Sequence, residues 1–183
     1  LENNPELNKE AEVQDVLEKV LTEEGFTIDR WDVFENRPNI VGNKPGNEDR
    51  SLILCGHIDV VPAGDQAAWS VDPFGGEIKN GKLFGRGSLD MKSGLTAAIA
   101  AARAIRLAGI ELEGRLSIHS VVDEETGGAG AIDAVKKGHL AKSILVPEPT
   151  RGNIICSEGG LEWVRITIPG RSAHAGWRFN EIW

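Results

Sequence analysis

The chain is short of several things that would direct its reading elsewhere. It has two cysteines, Cys55 and Cys156, and they form no metal-type spacing. Each sits in an apolar, strand-like run, so the expectation is two buried free thiols in a reducing, cytoplasmic compartment. No apolar stretch reaches membrane length and no secretory leader is visible. Basic residues are outnumbered, 20 Lys and Arg against 28 Asp and Glu, for a net charge of −8. That balance argues against a nucleic-acid surface, which needs a basic stripe. No G-x-S-x-G element occurs, which disfavours a serine hydrolase. There is one methionine, Met91, and the first residue is Leu1. With the pattern still running at Trp183, the chain reads as a fragment open at both ends.

What is present alternates between helical and extended patterns. Leu7, Ala11, Val16/Leu17 and Val20/Leu21 recur at helical spacing, with Gly25 as the stop. Phe26 to Val33 and Pro38 to Gly42 read as strands, and residues 42–49 as a polar loop. Leu52 to Cys55 is apolar on both faces, as a covered central strand should be. Asn80-Gly81 predicts a type I′ hairpin within residues 77–84. Leu95 to Leu107 is an alanine-rich helix closed by Gly109, and Ala129 to Lys137 a helix closed by Gly138. Further strands are expected at Arg115–Val122, Ser143–Val146, Asn153–Cys156 and Leu161–Ile168. The alternation predicts an α/β fold, a mixed but largely parallel sheet flanked by helices. Residues 1–160 read as a catalytic metal-binding domain. Residues 161–183 read as the first strand of a smaller lid or dimerisation domain.

The acids and one histidine give the chemistry. Side chains two apart in an extended segment share a face, so His57 and Asp59 face one pocket. Asp90 follows in G-R-G-S-L-D-M-K, Glu124 and Glu125 in D-E-E-T-G-G, and Glu148 in P-E-P-T. His57, Glu124 and Glu148 each follow a short apolar strand, and ligands bind beyond the carboxyl ends of such strands. One imidazole among carboxylates reads as a divalent-metal site for zinc, cobalt or manganese. Adjacent acids such as Glu124 and Glu125 can divide the labour, one binding metal while the other moves a proton.

Five ordered motifs now carry a resemblance: H-I-D-V-V-P-A-G, G-R-G-S-L-D-M-K-S-G, D-E-E-T-G-G, P-E-P-T and G-R-S-A-H-A-G. Together they resemble the zinc-dependent deacylase and carboxypeptidase family of acetylornithine deacetylase and succinyl-diaminopimelate desuccinylase, with aminoacylase and glutamate carboxypeptidase. The resemblance implies two divalent ions, zinc foremost. His57 and Glu148 would hold one, Glu125 the other, and Asp90 would bridge them. Glu124 would be the general base and acid, and Asp59 would orient His57. His174 would be the lid-domain histidine that steadies the developing oxyanion across a homodimer. A cis peptide is implied at Asp90-Met91. The family's last metal-binding histidine would, on this resemblance, lie beyond Trp183. The implied activity is hydrolysis of an amide bond in N-acyl amino acids or similar small substrates. The alternatives are a metallo-carboxypeptidase acting on small peptides and a non-catalytic metal-binding fragment.

Blander readings compete at each position. Alone, His57 would be a structural histidine, the Glu124/Glu125 pair a solvated one, and Glu148 a turn residue between prolines. Their common order and placement favour the site. His119 and His139 are assigned to structure, and Met91 and Lys92 to shaping a loop. The Gly85–Asp90 run looks like a dinucleotide loop, but Asp90 stands where the third glycine belongs.

Overall fold

A computed structural model of the chain describes residues 8–160, 162 and 164–170. It falls into two compact units, Leu1–Gly152 and Asn153–Trp183. The elements, in order, are α1 (Glu10–Glu23), β1 (Thr27–Phe34), β2 (Arg37–Lys44), β3 (Asn47–His57), β4 (Ile78–Lys79), β5 (Lys82–Leu83), α2 (Ser93–Leu107), β6 (Gly114–Val121), α3 (Ala129–Lys136) and β7 (Ser143–Leu145).

The main sheet has strand order β1-β2-β6-β3-β7. β6 and β7 flank β3 in parallel, while β2 runs antiparallel to both β1 and β6. Every strand of this sheet but β2 therefore points the same way, and the expected mixed, largely parallel sheet with flanking helices is what forms. β6 lies between β2 and β3, and Leu116 to Val121 are buried on both faces. That explains why its sequence loses alternation as it nears the acidic motif. One face of the sheet packs against α1 and α2. Leu21, Ile40, Leu54, Leu95, Ile99, Ile118 and Val122 share that core. In α2 the buried residues are Leu95, Ala98, Ile99 and Ala102, the spacing of one helical face. Burying a Leu or Ile side chain there is worth about 1.5–3 kcal/mol.

Four expectations need correction. The buried stripe of α1 begins with polar residues, Glu10 and Gln14, while Val16 faces solvent. Here the helix crosses backbone carbonyls at the ends of β2 and β6. The Gln14 amide donates to Pro38 O at 2.9 Å and to Ser120 O at 3.0 Å, which an apolar side chain could not do. The polar loop expected over residues 42–49 shrinks to a two-residue link, because β2 runs to Lys44 and β3 starts at Asn47. The first four residues of β3 are exposed, so hydrophobicity carried no trace of them. Cys156 is exposed, unlike the half-buried Cys55. Residues 153–156 form no strand, and neither do the described residues of 161–168. A short apolar run holds an extended form only against a partner, and Ile154, Ile155, Val164 and Ile166 are open to solvent.

The hairpin at Asn80-Gly81 forms as expected. Both turn residues have positive φ, 52° and 72°, and β4 pairs with β5 across them.

Candidate active site

The parallel strands end together. β3 and β6 are in register to the His57–Val121 pair, and β7 stops just before Glu148. Between β5 and α2 the chain makes a kinked turn, Ser88–Lys92, with a cis peptide at Asp90-Met91. The turn is pinned from beneath. Met91 is fully buried, and the His57 main-chain N–H points to its sulfur at 3.2 Å. The first turn of α2 lies against the Glu148 loop so closely that a Cβ on Gly94 would stand 1.9 Å from Pro147 O. Only glycine permits that approach.

These constraints bring six predicted residues to one place. The His57 Nε2 is 3.1 Å from Asp90 Oδ1, 3.7 Å from Glu124 Oε2 and 3.7 Å from Glu148 Oε1. His57, Asp90 and Glu125 each offer a ligand atom, and these lie within 4.8 Å of one another. Asp59 meets His57 through two of its oxygens. The His57 Nδ1 meets the Asp59 main-chain oxygen at 3.0 Å, closer than the carboxylate at 3.5 Å. The Asp59 carboxylate also accepts the Glu124 and Glu125 amide N–H groups, at 3.2 and 3.1 Å. It ties the strand carrying the histidine to the segment carrying both glutamates. His174 lies outside the described residues.

The electrostatics fit a cation. The His57 imidazole is drawn up to about 9: burial opposes its charge, and the Asp59 hydrogen bond with the Asp59, Glu124 and Glu148 charges outweighs it. Asp59 is held below the usual carboxylate range, its hydrogen bonds with His57 and the two amides overcoming burial. Glu125 and Glu148 are pushed above that range, first by burial and then by neighbouring acids, Asp90 foremost. An imidazole with crowded carboxylates at a strand end is a donor set for a divalent ion, whose charge would relieve the crowding.

Sequence reasoning missed several residues that shape the site. Met91, assigned only to a loop, is the plug beneath His57. Arg37, Asn39 and Asp123 are buried around the glutamate segment. Their signal, R-P-N opening β2 and an extra acid before Glu124, has meaning only once the topology sets β2 beside β6. A cavity of about 310 Å³ opens beside Asp59 and Glu125, bounded also by Arg37, Phe74, Lys92 and Thr126.

Comparison with known proteins places the chain. The family described as peptidase family M20/M25/M40 matches residues 53–180. A deformylase of N-formyl-4-amino-5-aminomethyl-2-methylpyrimidine from Bacillus subtilis is 39% identical over 183 residues, covering 97% of this chain and 42% of that protein. Succinyl-diaminopimelate desuccinylase from Rhodospirillum centenum is 38% identical over 152 residues, 77% of this chain and 39% of that protein. The chain thus spans less than half the length of these curated relatives. Human carnosine dipeptidase 1 shares the fold at a TM-score of 0.69 and 23% identity, over 80% of this chain and 34% of that one. An M20 family metallo-carboxypeptidase from Sulfolobus solfataricus does so at 0.66 and 22%, over 74% and 32%.

Proposed function

From the premise that this chain belongs to peptidase family M20/M25/M40, we propose that it forms the metal-binding part of an amide hydrolase. The substrate would be a small N-acyl amine or N-acyl amino acid. One observation carries this reading: His57 Nε2 lies within 3.7 Å of carboxylates from three separate segments, Asp90, Glu124 and Glu148. The two relatives above are named for removing a formyl and a succinyl group, which favours deacylation over peptide trimming.

His57, Asp90, Glu125 and Glu148 would hold two divalent ions, zinc foremost, with Asp90 between them. Such ions supply positive charge that polarises a carbonyl and favours loss of a proton from water. The chain's own residues do the rest. Glu124 is half-exposed at the mouth of the site, and its main chain is fixed by Asp59. It takes a proton from the attacking water and delivers it to the departing amine nitrogen. The Asp59 main-chain oxygen holds His57 Nδ1, so Nε2 is the atom presented to an ion. Residues 161–183 would begin a lid and dimerisation domain from which His174 steadies the oxyanion in a homodimer. A cytoplasmic setting accords with the free thiols.

The test is a panel of formyl, acetyl and succinyl amines and amino acids beside dipeptides, assayed with the full-length protein with and without chelator. Metal-dependent deacylation is expected. Release of a C-terminal residue from peptides instead would move the reading to a carboxypeptidase. Glu124→Gln should lower turnover by about 100-fold or more while metal content by elemental analysis stays unchanged. Wild-type turnover in that variant would remove Glu124 from its role.

A further inference from the structure

Glu124 and Glu125 stand on neither helix nor strand, yet proton transfer needs a base held to a fraction of an ångström. The segment from Val122 to Gly130 is fixed on one side by the Asp59 carboxylate. On the other side β2 supplies two buried side chains. Asn39 is fully buried and spans the segment's two ends: its Oδ1 accepts Val122 N–H at 3.1 Å and its Nδ2 donates to Gly130 O at 2.8 Å. The ends also meet directly, Gly130 N–H donating to Val122 O at 3.1 Å. A Cβ on Gly130 would stand 2.3 Å from Val122 O, so closure requires glycine.

Arg37, two residues earlier on β2, holds the middle. It grips Glu10 Oε1 of α1 through Nε and Nη2, at 2.9 and 2.7 Å, and reaches Asp123 Oδ1 through Nη1 at 3.3 Å. Asp123 adopts a left-handed φ of 69° and organises the turn beyond it. Its main-chain oxygen accepts Gly127 and Gly128 N–H, and its carboxylate accepts the Thr126 hydroxyl and Ala129 N–H. The paired β2/β6 ladder stops at Ile40–Ser120. Past that pair, the Arg37 and Asn39 side chains replace main-chain bonds in holding β2 to the segment after β6.

We propose that Arg37 and Asn39 are positioning residues: a clamp from β2 that sets where the Glu124 and Glu125 carboxylates point. The inference rests on the reading of Glu124 as the base. It is tested on the metal-free chain and on the full-length protein. In Arg37→Met, amides of residues 124–128 should exchange with solvent about tenfold faster, while Ile53 and Ile118 in the sheet keep their protection. Arg37→Lys should restore most of that protection. In the full-length protein the same change should lower kcat about tenfold with KM within about twofold, the mark of a group misplaced in the transition state. Should Arg37→Met fail to fold, Asn39→Asp, which keeps the Val122 contact and loses the Gly130 one, carries the same comparison against wild type.

Unchanged exchange over 124–128, or exchange rising equally in the sheet, overturns the clamp. So does faster segment exchange with unchanged kcat where Glu124→Gln is inactive. An active Glu124→Gln would instead overturn the base assignment and leave the exchange result standing.

Discussion

At the scale of single residues, the clearest burden in the fold is His119. It is buried on the sheet face away from α2, its Nε2 has no hydrogen-bond partner among the described residues, and the His139 ring stands edge-on at 5.8 Å. Burial, with His139 and Arg115 nearby, lowers its pKa to about 4. A group depressed in the fold stabilises above its unfolded pKa, near 6.5, and that contribution is lost as pH falls toward 4. Over that window the chain should lose roughly 3 kcal/mol that His119→Leu does not lose. Denaturant melts of both at pH 7 and pH 4.5 check this; an equal loss in both would relieve His119 of the role. The places of His119 on a strand and His139 at a helix end were legible from their patterns, and so was the gathering of His57, Asp90, Glu124, Glu125 and Glu148. The Asp59 contacts were legible only in part. An H-x-D spacing says that two side chains share a face, but not that the nearer partner of His57 is a main-chain oxygen.

At the scale of elements, sequence pattern worked where burial follows apolar spacing and failed where polar groups do the packing. α2, α3, β6 and the β4–β5 hairpin stand within a residue or two of expectation. The polar face of α1 and the exposed start of β3 do not, because Gln14 holds α1 by hydrogen bonds that hydrophobicity cannot register and the first four residues of β3 face solvent. The same logic makes the contact between α2 and the Glu148 loop fragile. A Cβ at position 94 meets a carbonyl, not a flexible side chain, so the backbone itself must move. Gly94→Ala should cost about 1–3 kcal/mol or more of stability and weaken zinc binding by displacing Glu148. Thermal melts and zinc titration measure both. A variant that melts and binds like wild type would show that the loop gives way freely.

At the scale of the whole molecule, α1, α2 and three parallel strands build a floor on which His57, Asp90, Glu125 and Glu148, from four separate segments, gather. Folding assembles the site, so an ion that binds only the folded form must stabilise it. Zinc at about a hundred times its Kd should add roughly 2.7 kcal/mol, raising Tm by about 5–10 °C for a domain of this size. Chelator should reverse the shift and His57→Ala abolish it; a Tm indifferent to zinc would count against the ligand set. The outer margin of the sheet bears on how the chain behaves in bulk. Among the described residues β7 pairs only with β3, so its other side presents unspent N–H and C=O groups, flanked by the half-exposed Ile144 and Leu145. Where nothing else in the protein covers it, a sheet margin of this kind recruits strands from other molecules. Concentrated solutions of this chain should therefore cloud by stacking rim to rim, and a lysine at 145 would be the natural remedy.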